Sequence, residues 1–244
     1  MQPGAEPRTL PVERGAALLD RVEYRLAETP EDKDLVYSLR YKAYLHAGLI
    51  LPSESGQVCD RYDDAPNAWI FGIYLDGELC SSLRIHLLTS EWRMSYSTEL
   101  YGDILHSRLD RGEVFIDPAR LAADPEKARL FPELPYVTLR LAYLACDYFN
   151  ADTGLAMVRP DHQPFYRRVF LHEPIGEPRA FPGWHSMKTS LMASDFRKLR
   201  ERVLARFPIM QSTHFERQML FQRPGEQPPL ALDLPEFLPS QVSL

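Results

Sequence analysis

The sequence predicts a three-layer α/β domain on a mixed central sheet that splays apart near Asp117. Three observations carry that prediction. Two apolar runs, Ala68 to Leu75 and Glu78 to Leu88, flank Asp76-Gly77, a dipeptide that favours a tight hairpin turn. From Tyr136 to Asn150 the residues Val137, Leu141, Leu144, Ala145 and Tyr148 fall on one helical stripe. Strand and helix patterns then alternate in the order β-α-β-β-β-α-β-α-β, which places helices on both faces of a sheet.

Taken in order, Val22 to Ala27 reads as the first strand. Thr29-Pro30-Glu31-Asp32 opens a helix that runs to about Ala47, with a capping threonine, a proline in the first turn and acids beside the positive end of the helix dipole. Glu113 to Asp117 is a short strand, interrupted by Pro118, which cannot donate to a ladder. Leu155 to Val158 forms a strand, Pro164 to Phe170 a short helix, Ser186 to Met192 a strand, and Asp195 to Phe207 the closing helix. Residues 1–18, rich in proline and glycine, predict a mobile arm. Residues 223–244 hold five prolines and predict an extended tail. Residues 19–222 between them fit one domain with a substantial core.

Composition excludes several classes. A formal charge of −6 leaves no net positive charge to neutralise phosphates, so nucleic acid is not the expected partner. Cys59, Cys80 and Cys146 lack the spacing of a metal site and read as reduced thiols of a cytoplasmic protein, with no metal expected. No basic-then-apolar leader opens the chain, and no apolar run reaches transmembrane length. Nucleotide-binding glycine fingerprints, HExxH and GxSxG are all missing.

Several charged and aromatic residues are placed where they can converge. Arg40 and Tyr44 share a helix face with Val36, so Arg40 is either drawn inward or snorkels over the core edge. Asp60 and Asp63 precede the hairpin, where acids also serve as turn formers. Arg84 sits mid-strand with Cys80, Ser82 and His86 on its face, either exposed or buried and paired with Asp60 or Asp63. Glu113 and Asp117 share a strand face by parity, so two carboxylates are expected over one site. Arg120 follows within reach of a strand-end bridge to Asp117. Tyr166, in the aromatic helix after a strand, is a candidate proton donor.

The ordered set resembles the acyl-homoserine lactone synthases and their relatives, the N-acyl amino acid synthases of the GNAT-like acyltransferases. Arg40 with Tyr44, Asp60 with Asp63, Arg84, and Asp117 with Arg120 stand where these families carry a helical Arg and aromatic, an Asp-x-x-Asp, a hairpin Arg and an acid-x-x-Arg. The resemblance spans roughly Val22 to Met192. Asp117 replaces the usual Glu of the lactone synthases, a Trp is missing from the segment after the first helix, and no glycine-rich phosphate cradle follows Arg120. These departures point away from lactone formation and acetyl-CoA, and toward the N-acyl amino acid synthase branch.

The resemblance implies a GNAT-like sandwich that transfers a long-chain acyl group to the amine of an amino acid or similar small molecule. The donor would be a thioester on acyl carrier protein, less readily acyl-CoA, with no tightly bound cofactor. Asp117 or Glu113 would act as base, since an α-ammonium of pKa about 8 needs only a modest acceptor. Tyr166 would protonate the departing thiolate. Arg40, Tyr44, Asp60, Asp63, Arg84 and Arg120 would bind substrates. A non-catalytic acyl-binding protein and an acetyl-CoA-dependent acetyltransferase are the alternatives. Arg197, Lys198, Arg200, Arg202 and Arg206 on the last predicted helix form a candidate docking face for an acidic carrier.

Overall fold

The computed structural model describes residues 15, 17–181 and 187–223. Strand β1 (Val22–Leu26) leads through Thr29 into helix α1 (Pro30–His46). The Thr29 hydroxyl accepts from Asp32 N at 3.1 Å while the Asp32 carboxylate accepts from Thr29 N, a reciprocal box that fixes the helix start. The hairpin of β2 (Ala68–Leu75) and β3 (Glu78–Leu88) turns at Asp76 and Gly77, both at positive φ, as the sequence predicts. Two short helices absent from the sequence reading follow: α2 (Tyr96–Leu100) and α3 (Gly102–Asp110). Strand β4 (Phe115–Ala123), helix α4 (Pro125–Leu130) and helix α5 (Leu134–Tyr148) come next. The chain continues through β5 (Thr153–Val158), α6 (Gln163–Phe170), the two-residue strands β6 (Glu173–Pro174) and β7 (Arg179–Ala180), and β8 (Lys188–Asp195). Helices α7 (Phe196–Arg206) and α8 (His214–Phe221) end the described chain.

The sheet runs β1-β2-β3-β4-β5-β8-β6, with β7 also on β8; it is antiparallel except where β4 meets β5. Alternation divides the residues of β2 and β3 between two covers. Phe71, Leu83 and Ile85 pack with α5, while Ile70 packs with Val36 and Tyr37 of α1. Both faces are therefore buried, giving the three layers. Helix α5 is buried nearly all round rather than along one stripe. It ends at Phe149, and Asn150 takes the left-handed conformation at φ 50°.

Three boundaries shift from the sequence expectation. Leu18, assigned to the mobile arm, packs in the main core, and residues 17–19 are helical; residues 1–14 lie outside the described chain. Of the proline-rich tail only Arg223 is described, donating to the carbonyl of Ala68 at 2.7 Å and stacking on Trp69. The last strand begins at Lys188, and Ser186 falls outside the described residues.

The largest correction concerns β4. Pro118 does not end it: the strand continues to Ala123 along β3, with Pro118 opposite Ile85. What stops after Ile116 is the pairing to β5, which holds only Phe115 to Thr153 and Ile116 to Gly154. A proline is compatible with a ladder where its nitrogen points away from it. The two strands diverge beyond that point, and a cleft opens between them.

Candidate active site

The cleft has a volume of about 560 Å³. Residues 118–123 of β4 form one wall and Ala156, Met157 and Val158 of β5 the other, with Leu139 behind. The polar side chains on its lining include Tyr44, Tyr96, Arg120, Arg159, His162 and Tyr166. Leaving the walls unpaired costs backbone hydrogen bonds, so the fold keeps them only because water or a ligand can occupy the gap.

Arg120 reaches this cleft through a local distortion. Between Ser82 and Arg84 the β3–β4 register slips, and Arg120 takes φ 53°. A non-glycine residue there costs about 1–2 kcal/mol, and a bulge of this kind re-aims a side chain. The reward is an ion pair: Arg120 Nη2 lies 2.6 Å from Asp60 Oδ2.

That pair closes a buried chain of charges. Arg84 Nη1 donates to Asp60 Oδ1 at 2.7 Å and to Asp63 Oδ1 at 2.8 Å, and Arg40 Nη1 donates to the same Asp63 oxygen at 2.8 Å. Arg40 and Arg84 are fully buried, so neither snorkelling nor surface exposure describes them. Asp60 and Asp63 form a turn as well: Asp60 N donates to Asp63 Oδ2, and Tyr62 N to Asp60 Oδ1, both at 2.8 Å. Burial draws the Asp60 carboxyl upward, but Arg84 and Arg120 outweigh it and hold it at about 2. Three guanidinium groups against two carboxylates leave one positive charge in excess. The Nε and Nη2 atoms of both Arg40 and Arg84 make no hydrogen bond, and the rings of Tyr37 and Tyr62 lie 5.3 and 5.8 Å from the respective guanidinium carbons.

Asp117 takes a different place from the one its sequence position implies. It is 1% exposed and accepts from Ser97 Oγ of α2 at 2.9 Å. Burial raises its carboxyl to about 6 against the pull of Ser95, Ser97 and Arg84. Its neighbour across the ladder is His86, held neutral by burial and by Arg84, at about 3. Pro118 and the following residues line the cleft, while the Asp117 side chain sits behind that wall among the serines.

Glu113 does not join it. It lies before β4 and is bound by Arg108 at 2.6 Å and Arg111 at 3.0 Å, so the expected pair of carboxylates over one site is not formed. Arg120 is engaged with Asp60, replacing the expected bridge to Asp117. Tyr166 is half-buried, packs on His172 and Phe170, and burial raises its phenol well above the usual range. Tyr44 stands on the Arg40 face of α1 and donates to Leu121 O at 3.4 Å. Ser95, Ser97 and Tyr96 were missed by the sequence reading; the only signal for them is the run Ser95-Tyr96-Ser97-Thr98, a helix-capping pattern.

The open mixed sheet with its splayed β4–β5 pair has the fold of the GNAT-like acyltransferases. The profile of the FeeM family, "N-acyl amino acid synthase FeeM", matches residues 35–195, and the chain belongs to that family. Its members are N-acyltransferases, and so is this enzyme. The solved structure of FeeM, an N-acyl amino acid synthase from uncultured soil microbes, is 15% identical, with a TM-score of 0.58 over 76% of this chain and 96% of that one. TofI, solved in a ternary complex with an inhibitor and MTA, is 18% identical, with a TM-score of 0.54 over 74% and 96%. BjaI, a CoA-dependent acyl-homoserine lactone synthase solved with SAM and isopentyl-CoA, is 14% identical, with a TM-score of 0.53 over 77% and 89%. No curated protein matches the chain. Among the described residues no helix is long and apolar enough to cross a membrane, and no group of three or more His, Cys, Asp or Glu is placed to hold a metal ion.

Proposed function

We propose that this N-acyltransferase moves a long-chain acyl group from an acyl carrier protein thioester to the amine of an amino acid or a similar small molecule. The observation that carries the reading is the β4–β5 cleft, whose apolar walls suit an acyl chain and whose volume lies within the roughly 300–1,000 Å³ of small-molecule sites. Arg120 and Tyr44 hold the acceptor carboxylate, and Arg40, Asp60, Asp63 and Arg84 fix Arg120 and supply the excess positive charge.

In this reaction Asp117 takes the proton of the acceptor ammonium through a water or the Ser97 hydroxyl. The freed nitrogen attacks the thioester carbon, and backbone N–H groups of the splayed strand, Pro118 excepted, stabilise the oxyanion. As the C–S bond breaks the nitrogen gives up its second proton, and Tyr166 relays it, accepting that proton as it passes its own to the leaving thiolate. Glu113, bound by two arginines away from the cleft, has no part in these steps.

A carrier rather than a nucleotide donor is supported by the end of β4. The Asp124 carboxylate accepts from Glu126 N at 2.9 Å and Lys127 N at 3.1 Å, so an acid occupies the backbone donors that a pyrophosphate would use. Three of the five basic residues expected to form a docking face on α7 are engaged, while Arg202 and Arg206 stay exposed. Arg197, Lys198 and Arg200 are bridged to Asp152, Asp195 and Asp147 at 3.0, 2.7 and 2.6 Å. Carrier docking is assigned instead to the cleft mouth, near Arg159 and Arg167. Incubating the enzyme with mixed amino acids and, in parallel, acyl carrier thioester, acyl-CoA or acetyl-CoA, followed by mass analysis, tests the reading. An N-acyl amino acid formed from the carrier thioester is expected; product from acetyl-CoA alone overturns it.

A further inference from the structure

The splay begins at one residue of β4. Val114 O accepts from Asp152 N at 2.9 Å and from Thr153 N at 3.3 Å, so the even-numbered residues of β4 aim their backbone groups at β5. Ile116, opposite Gly154, is the next of them and the last to pair. Pro118 is the one after. Thr153 N sets the matching parity on β5, so Leu155 and Met157 face β4. One more rung in this register would put residue 118 opposite Ala156. Its N–H would donate to Leu155 O, and its carbonyl would accept from Met157 N.

Proline blocks that rung in two ways. It has no N–H to donate, and its ring carbon stands where the hydrogen would point, holding the facing strand beyond the ladder spacing of about 4.8 Å. The ring is wall on both sides of the apex, lining the cleft and a second cavity of about 40 Å³ that reaches Gly154. Arg120, the next even residue, is turned to φ 53° and held by Asp60 at 2.6 Å, so the ladder does not resume there. Ala156 and Met157, which an ordinary residue at 118 would engage, are cleft wall instead.

We propose that Pro118 is a positioning residue, a wedge that keeps β4 and β5 apart so that the cleft stands open before a ligand arrives. Any other residue at 118 would let the empty strands pair, and a ligand would then have to part them. Preorganisation removes that cost.

Hydrogen exchange on the ¹⁵N-labelled full chain tests the wedge without substrate. In the wild type the Met157 amide should exchange freely. In Pro118→Ala the new amide at position 118 and that of Met157 should both slow by about tenfold or more. A proline that only stiffens its strand predicts the opposite sign, because its loss would loosen β4 and β5. Pro118→Val restores the donor while keeping an apolar group on the wall, and it should close the rung as well. Dodecanoyl-pantetheine, titrated by calorimetry, should bind each variant roughly tenfold more weakly than wild type, the factor for the one or two net hydrogen bonds it must break.

A protected Met157 amide in the wild type overturns the proposal without any variant. Free exchange at both positions in Pro118→Ala overturns it too, as does closure in Pro118→Ala but not in Pro118→Val, which traces the effect to side-chain volume. Equal thioester affinity in all forms with the rung closed does the same. Only the thioester titration rests on the acyl-transfer reading. Slowed amides with no thioester bound by any form keep the wedge and remove the thioester from the cleft.

Discussion

Asp117 combines near-complete burial with a hydrogen bond from Ser97 and a carboxyl raised from 3.8 to about 6. Such a value suits a group that must accept a proton near neutrality. It also has a stability consequence. A raised acid pKa favours the protonated fold, so its contribution is fully present below about pH 3.8 and is lost as pH rises through 6. The loss is about 3 kcal/mol above that range. Asp117→Asn keeps an oxygen for Ser97 and removes the charge. It should lower kcat by at least a hundredfold yet be about 1–3 kcal/mol more stable than wild type at pH 8, with the gap closing by pH 4. The wild-type kcat/KM should fall on the acid side around pH 6. Denaturant melts at both pH values and a pH–rate profile check this; an unchanged kcat would remove Asp117 from the chemistry.

Elements in this fold are tied together by buried arginines. Arg84 links β3 to the turn at Asp60 and Asp63, which Arg40 links to α1 and Arg120 links to β4. Deleting Arg84 leaves Asp63, 1% exposed at its side chain, with one cation in place of two. Arg84→Ala should therefore cost about 3–5 kcal/mol, read from the shift in urea midpoint. A loss under 1 kcal/mol would mean that water replaces the guanidinium. At the other face, Arg140 of α5 donates to the carbonyls of Ile209 and Gln211 at 2.7 and 2.6 Å and to Glu216 of α8. Arg140→Ala should release α8: hydrogen-exchange protection should fall across His214–Phe221 and persist in β2 and β3.

The molecule as a whole carries a charge of −6, which repels an acidic carrier at long range. Productive encounter must then come from local positive charge at the cleft mouth. There Arg159, bridged to the exposed Asp161 at 3.0 Å, lines the opening, and Arg167, on α6 next to the cleft-lining Tyr166, is half exposed with a 3.5 Å contact to Glu173. Arg159→Glu with Arg167→Glu should reduce kcat/KM for the carrier thioester roughly tenfold at low salt, and much less at high salt. With a short acyl-pantetheine donor the same variant should match wild type. If both donors suffer equally, these arginines act on the cleft itself rather than on docking.

The Thr29 cap and the Asp76-Gly77 turn were legible in the chain, because each is satisfied within a few residues of itself; helix α5 was legible as a helix, but not its burial on nearly every side. Burial of Arg84 against Asp60 or Asp63 was one of two alternatives the sequence offered, since a buried guanidinium must find carboxylates; the structure adds that it binds both. Three features were not legible. Glu113 and Asp117 share strand parity, but only the tertiary structure sets Arg108 beside one and Ser97 beside the other. Pro118 marks a break in pairing, yet which neighbour is lost depends on where β5 departs. Arg120 turns to Asp60 through a bulge that no local residue requires. Turns and caps are short-range hydrogen-bond problems that the sequence solves alone; the protonation of a carboxyl and the contents of a cleft depend on surfaces that distant segments bury together.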